Sequence, residues 1–314
     1  MKRLAIVLVL VLAACAPQFQ PRGDQKMTPV MADEFLVARD GMKLPLRHWD
    51  ADAHFTNPRA VIVALHGMSD YSNAFDMPAR VWAKLGITTL AYDQRGFGRN
   101  EQPGVWAGAD VMRADLNDAV AAARARYPNV PVFALGESMG GAVVLTALAS
   151  AQPPAADGAI LVAPAVWSRA DMPLLYRVAL FFGAHLFPNM VLDNSAAGRV
   201  VNIVPSDNVP MLRALGRDPL FQKQSRPGTL FGLVNLMDEA RGAVPASPPP
   251  ILLLHGLKDQ IIPVKPTAAV IAALGNKATI KTYPAGYHML LRDLEGETVD
   301  HDVADWILRD RNQP

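Results

Sequence analysis

Three features of the sequence predict an α/β fold with a mostly parallel sheet flanked by helices. Short apolar runs at residues 60–65, 87–92, 132–135, 159–162, 251–254 and 279–283 alternate with stretches of helical composition, the order that yields parallel strands joined by right-handed crossovers. The run at 60–65 is apolar throughout, as a central strand buried on both faces is. Several runs end in loops that carry Ser, Asp or His, and open α/β sheets hold their ligands at the carboxyl ends of their strands.

The chain is organised around residues 132–144, Val-Phe-Ala-Leu-Gly-Glu-Ser-Met-Gly-Gly-Ala-Val-Val. An apolar strand stops at Gly136-Glu137-Ser138-Met139-Gly140 and restarts as a helix of small residues. This is G-x-S-x-G between a strand and a helix, the setting in which the motif raises a serine hydroxyl above the sheet edge. So tight a turn leaves no room for side chains two positions either side of the serine, hence Gly136 and Gly140. The competing explanation is a chance match in a Gly-rich turn, and the flanking strand and helix argue against it.

At 314 residues the chain suits one α/β domain with an insertion, or two small domains. Its 51% hydrophobic content supports a large core, and its net charge of +1, without a basic patch interleaved with aromatics, sets nucleic-acid binding aside. The single cysteine, Cys15, excludes an intrachain disulfide framework. Lys2-Arg3 form a charged start, residues 4–12 an apolar run too short to span a bilayer, and Ala13-Ala14 precede the cysteine. Leu12-Ala13-Ala14-Cys15 resembles the bacterial lipobox. That resemblance implies a signal peptide over residues 1–14, acylation of Cys15 and a lipid-anchored protein of the bacterial envelope. The Ala16 that follows favours the outer membrane over the inner one. An ordinary secretory signal with an incidental cysteine is the alternative.

Along the chain, residues 15–32 lack periodicity and read as a flexible tether. The segments 34–38 and 44–49 flank Arg39-Asp40-Gly41 as a hairpin. Helices are expected at 79–85, 111–127, 267–274 and 299–308. The core is expected over 33–165 and 249–314. Between them, 166–248 departs from the alternation: apolar but irregular, it ends in Pro248-Pro249-Pro250. A departure of that length inside an α/β chain is usually functional, often a lid.

A serine hydroxyl needs a base, an acid that orients the base, and donors for the oxyanion. In the strand–G-x-S-x-G–helix setting these follow in the order Ser, Asp or Glu, His. Asp259 lies in the loop after the strand at 251–254, and His288 follows the last strand. Of the other histidines, His48 and His54 precede the core, His185 lies in the insertion, His301 opens the last helix, and His255 at a strand end reads as structural. Asp93 precedes the serine and breaks the order, so Asp93 and Arg95 are read as braces of their glycine-rich loop. Met139 and Met68, after the strand 60–65 and His66-Gly67, are the expected backbone donors of the oxyanion hole.

With these residues in place, the chain from about 34 to 311 resembles the α/β-hydrolases of the monoacylglycerol lipase/lysophospholipase group. The resemblance is carried by His66-Gly67-Met68, Asp93-Gln94-Arg95-Gly96-Phe97-Gly98, Gly136-Glu137-Ser138-Met139-Gly140-Gly141, Gly256-Leu257-Lys258-Asp259-Gln260-Ile261-Ile262-Pro263 and Tyr287-His288. It implies the α/β-hydrolase fold with a helical cap where 166–248 falls. It implies ester hydrolysis with no cofactor and no metal, and it supports Ser138, Asp259 and His288 as triad with Met68 and Met139 as oxyanion donors. The apolar pairs Phe181-Phe182, Leu186-Phe187 and Leu230-Phe231 line an acyl channel, face a membrane or pack the cap onto the core. The expected substrates are monoacylglycerols or lysophospholipids. The alternatives are a broad short-chain carboxylesterase, another serine chemistry such as perhydrolysis or acyl transfer, and a non-catalytic lipoprotein that binds apolar ligands.

Overall fold

The computed structural model describes residues 19–21, 23–193 and 203–309. The signal segment and Cys15 lie outside the described residues. Among those described, one sheet of nine strands runs β1 (Val30–Met31), β2 (Phe35–Val37), β3 (Lys43–Trp49), β5 (Ile87–Tyr92), β4 (Ala60–Leu65), β6 (Val132–Glu137), β7 (Gly158–Val162), β10 (Ile251–Gly256), β11 (Ala278–Tyr283). The first three strands are antiparallel, and β3 meets β5 antiparallel. From β5 to β11 all pairings are parallel. The sheet is that of an α/β-hydrolase.

Side-chain alternation divides the core in two. In β4, Val61, Val63 and Leu65 join one cluster while Ala60, Ile62 and Ala64 join the other. A strand covered on both faces has no polar face, which is why these runs read as unbroken apolar sequence. Helices α2 (Ala109–Arg126), α3 (Met139–Leu148) and α7 (Val264–Leu274) supply residues to the first cluster. Helices α1 (Asp76–Lys84) and α8 (Gly296–Leu308) cover the second. All four expected helices start earlier than the periodicity indicates, at Asp76, Ala109, Val264 and Gly296. In two of them a proline, Pro78 or Pro266, sits in the first turn, where its missing N–H costs no helical bond.

Two segments differ from the sequence reading. The tether expected over 15–32 is docked well before its end. Gln20 is buried, its N–H donates to Trp106 O (2.9 Å) and its Nε2 to Val105 O (2.8 Å), and Val30 pairs with Val37 in the sheet. The insertion is not irregular. It carries α4 (Leu174–Leu186), α5 (Val209–Arg217), α6 (Pro227–Gly242) and a small ribbon of β8 (Leu192–Asp193) with β9 (Gln224–Ser225). Helix α4 is apolar nearly all round, so no stripe marks it as a helix. Helix α6, inside the stretch read as cap, sends Val234, Leu236, Met237 and Ala240 into the main core.

Asp300 in α8 is buried, with Oδ1 unpartnered among the described residues, while its backbone O accepts from Trp82 Nε1 of α1 (2.9 Å). Burial, aided by Glu297 and Glu137, pushes its carboxyl up to about 8. Below the unfolded value near 4 both states hold the proton and nothing is lost. As pH rises from about 4 to about 8 only the folded state holds it, so stability falls across that window. Asp300→Asn is therefore expected to stabilise the fold by about 2–4 kcal/mol at pH 8 and hardly at all at pH 4. Urea unfolding at the two pH values checks this.

Candidate active site

Strand β6 stops at Glu137 and α3 starts at Met139, so Ser138 alone makes the turn. It does so at φ 53°, ψ −113°, left-handed space for a residue with a Cβ. Such strain persists only where the surroundings over-determine it. Here the Ser138 N–H donates to Val162 O (2.9 Å), and Ser138 O accepts from Ala165 N (2.9 Å) and Ala142 N (3.1 Å). The neighbouring glycines are spatial necessities. A Cβ on Gly140 would lie 2.1 Å from Leu65 O, and one on Gly136 2.3 Å from Gly140 C. Gly140→Ala is expected to destabilise the fold by about 3 kcal/mol or more, because backbone rather than a movable side chain stands in the way; urea denaturation measures it.

His288, in the loop after β11, brings Nε2 to 2.9 Å from Ser138 Oγ and Nδ1 to 2.8 Å from Asp259 Oδ2. A carboxylate only accepts, so Nδ1 carries the proton and Nε2 is left to accept from the serine hydroxyl. Asp259 follows β10, and its other oxygen accepts the N–H groups of Ile261 (2.8 Å) and Ile262 (2.9 Å). Burial pushes the Asp259 carboxyl up, but His288 and these two amides outweigh it and hold it below the usual carboxylate range. The carboxylate thus stays ionised beside the imidazole. Asp259, Ser138 and His288 are all buried.

Met139 is the first residue of α3, so its N–H is among those without an intrahelical partner. Met68 follows Gly67, where a Cβ would lie 3.3 Å from Ser138 Cβ. The loop that carries Met68 therefore runs directly against the serine. The insertion grips this loop: Gln222 N–H donates to Ser69 O (2.8 Å), and Tyr71 OH donates to Asp218 Oδ2 (2.6 Å).

The remaining sequence candidates stay outside the relay. His66 is buried and neutral: its Nε2 accepts from Gln94 N (2.9 Å) and its Nδ1 meets Gly67 O (2.8 Å), while burial lowers its proton affinity. His255 is buried, with neither ring nitrogen partnered among the described residues. Asp93 accepts the N–H groups of Ser72 (2.9 Å) and Arg99 (2.9 Å), and Arg95 forks onto Asp115 and Asp40; both brace their loops. Sequence reasoning missed Asp293, which accepts from Tyr287 N (2.7 Å) and Ser206 Oγ (2.6 Å) and so fixes the histidine loop. No motif marks it.

The arrangement is that of a serine made nucleophilic by a base whose tautomer is fixed by an acid. The sequence model of a family described as "Serine aminopeptidase, S33" matches residues 56–295. Monoglyceride lipase of Rattus norvegicus is 30% identical over 91% of this chain and 94% of its own length. Monoacylglycerol lipase of Mycolicibacterium smegmatis is 28% identical over 85% of this chain and 94% of its own. Among solved structures, a soluble variant of monoglyceride lipase from Saccharomyces cerevisiae superposes with a TM-score of 0.72 at 19% identity, covering 92% of this chain and 98% of the other. Paleococcus ferrophilus monoacylglycerol lipase gives 0.70 at 18% identity, over 85% and 99%. On sequence and fold together, this chain belongs to the family described as serine aminopeptidase, S33, and is an α/β-hydrolase of the monoglyceride lipase family.

Proposed function

We propose that the chain hydrolyses carboxylic esters of single-chain lipids, monoacylglycerols or lysophospholipids, through an acyl-enzyme on Ser138. The carrying observation is the unbroken relay from Ser138 Oγ through His288 to Asp259 in a chain of monoglyceride lipase kinship. His288 Nε2 takes the hydroxyl proton as Oγ attacks the ester carbonyl. Asp259 stabilises the imidazolium that forms. The amides of Met68 and Met139 hold the oxyanion, each contributing about 2.7–4 kcal/mol to the transition state. The alcohol leaves with the proton from His288, and water repeats the cycle on the acyl-enzyme. No cofactor enters any step.

The insertion supports a lipid substrate. On α4, Leu174, Leu175, Tyr176, Phe181 and Phe182 are each more than half exposed, and Phe187 follows in the same state. Packing onto the core therefore does not account for Phe181-Phe182 or Leu186-Phe187, whereas Leu230-Phe231 are half-buried. An exposed apolar helix of this kind suits contact with a lipid surface. Acylation of Cys15 would hold the enzyme there. With Gln20 docked on the core, four residues lie between it and Cys15, a span of at most about 18 Å.

The test uses protein lacking residues 1–15, with Ser138→Ala as blank. Fatty-acid release from monoacylglycerol and lysophosphatidylcholine is compared with a chain-length series of simple esters. Faster release from either lipid is expected and identifies the head group; activity confined to short esters makes this a short-chain carboxylesterase. Replacing Leu175 and Phe182 by Glu is expected to lower hydrolysis of vesicle-borne monoacylglycerol about 10-fold or more, with soluble short esters turned over as before.

A further inference from the structure

Behind the relay, three buried charges join the loops that carry it. Arg292, in the turn after His288, donates from Nη1 to Asp70 Oδ2 (2.8 Å) and from Nη2 to Glu137 Oε2 (3.0 Å). The side chains of Arg292, Asp70 and Glu137 are 6%, 3% and 3% exposed. Glu137 immediately precedes Ser138. Asp70 closes the Gly67–Met68 turn, and its second oxygen accepts from Tyr71 N (2.9 Å). One guanidinium thus ties together the serine turn, the oxyanion loop and the histidine loop.

Net stability is a poor explanation for this group, because a buried ion cluster seldom outdoes apolar packing of the same volume. A planar, always-charged fork supplies fixed geometry instead. The oxyanion loop requires it. Ser69 sits at φ 71°, left-handed space for a non-glycine residue, and such a conformation needs support from outside the loop. The internal bond of the turn, Asp70 N–H to Gly67 O, is long at 3.3 Å. Gln222 holds the loop from the insertion side, and Arg292 holds it from the core. Burial holds the Glu137 carboxyl above its usual range, and Arg292, with His288 behind it, opposes that shift without cancelling it.

We propose that Arg292 is a positioning residue for ester hydrolysis: through Asp70 and Glu137 it keeps the Met68 amide, Ser138 and His288 in register without touching substrate. The assignment rests on the function proposed above. Oxyanion donors act on charge present only in the transition state, so their displacement lowers kcat and leaves KM nearly unchanged. A shift of about 1 Å costs about 100-fold.

The experiment compares the full chain in detergent with Arg292→Met, Arg292→Lys and Asp70→Asn. End-point labelling by a fluorophosphonate counts folded sites, and kcat per labelled site and KM are read on a soluble ester. The expected result is kcat per site about 100-fold lower in the Met and Asn variants, KM within about threefold, and partial rescue by Lys, which keeps the charge but not the fork. Where the Met variant fails to fold, the Lys and Asn variants decide, since each keeps a hydrogen-bonding group in place. Wild-type kcat per site in the folded variants overturns this assignment alone. Absence of hydrolysis by the unaltered chain overturns the proposed function along with it.

Discussion

Ser138→Ala is expected to lower kcat on monoacylglycerol by about 10⁶-fold while the protein folds as before. Among the described residues the hydroxyl makes one side-chain hydrogen bond, with His288, so its loss costs about 1–3 kcal/mol, small beside the activity lost. Alanine also keeps the backbone at φ 53° without new crowding, since a Cβ is already there. What vanishes is the nucleophile, and His288 has no other hydroxyl to activate in the relay. Fatty-acid release and thermal unfolding, run on one preparation, separate the two effects. A folded variant that kept more than about one per cent of the activity would contradict the assignment.

Asp259→Asn is expected to lower kcat by about 10⁴-fold with the geometry intact. The cause is the tautomer. Ile261 and Ile262 present two N–H donors to one side of the position, so an amide there turns its oxygen towards them. Its NH₂ then faces His288 Nδ1, which must accept, and the imidazole proton moves to Nε2. That nitrogen can no longer take the serine proton. The wild-type carboxyl, held below its usual range by His288 and the two amides against the opposing effect of burial, contributes stability that is present above pH 4 and lost as pH falls through the lowered value. The variant should therefore lose part of that acid sensitivity; kcat and unfolding midpoints between pH 3 and 7 test both points.

The parts legible in the sequence are those where local chemistry leaves one solution. Gly136 and Gly140 border Ser138 because backbone fills the space a Cβ would take. Strands covered on both faces announce themselves as apolar runs, as residues 60–65 do. Asp259 and His288 follow from chain order, and the structure places His288 between Ser138 and Asp259. The illegible parts depend on long-range contact. Arg292 meets Asp70 across 222 positions and Glu137 across 155, and nothing near any of the three spells the cluster. Gln20 looks like linker until Val105 and Trp106 are beside it. Helix α4 hides for the opposite reason: with apolar residues on nearly every side, it has no period to detect.

The insertion over 166–248 gives these pieces a common logic. Its apolar α4 faces outward, while Asp218 and Gln222, further along the same insertion, bond directly to the loop that carries Met68. The insertion thus presents a surface suited to lipid on α4 and, further along, holds the loop that carries Met68, which Arg292 anchors from behind.

The central claim is that Ser138 is the atom acylated. Its most direct test is intact-protein and peptide mass spectrometry after reaction with a long-chain alkyl fluorophosphonate, a covalent mimic of the ester. One adduct per chain is expected, on the peptide that contains Ser138, with its formation slowed by added monoacylglycerol and absent in Ser138→Ala. An unmodified Ser138 in protein that still hydrolyses esters, or an adduct on another residue that abolishes turnover, would contradict it.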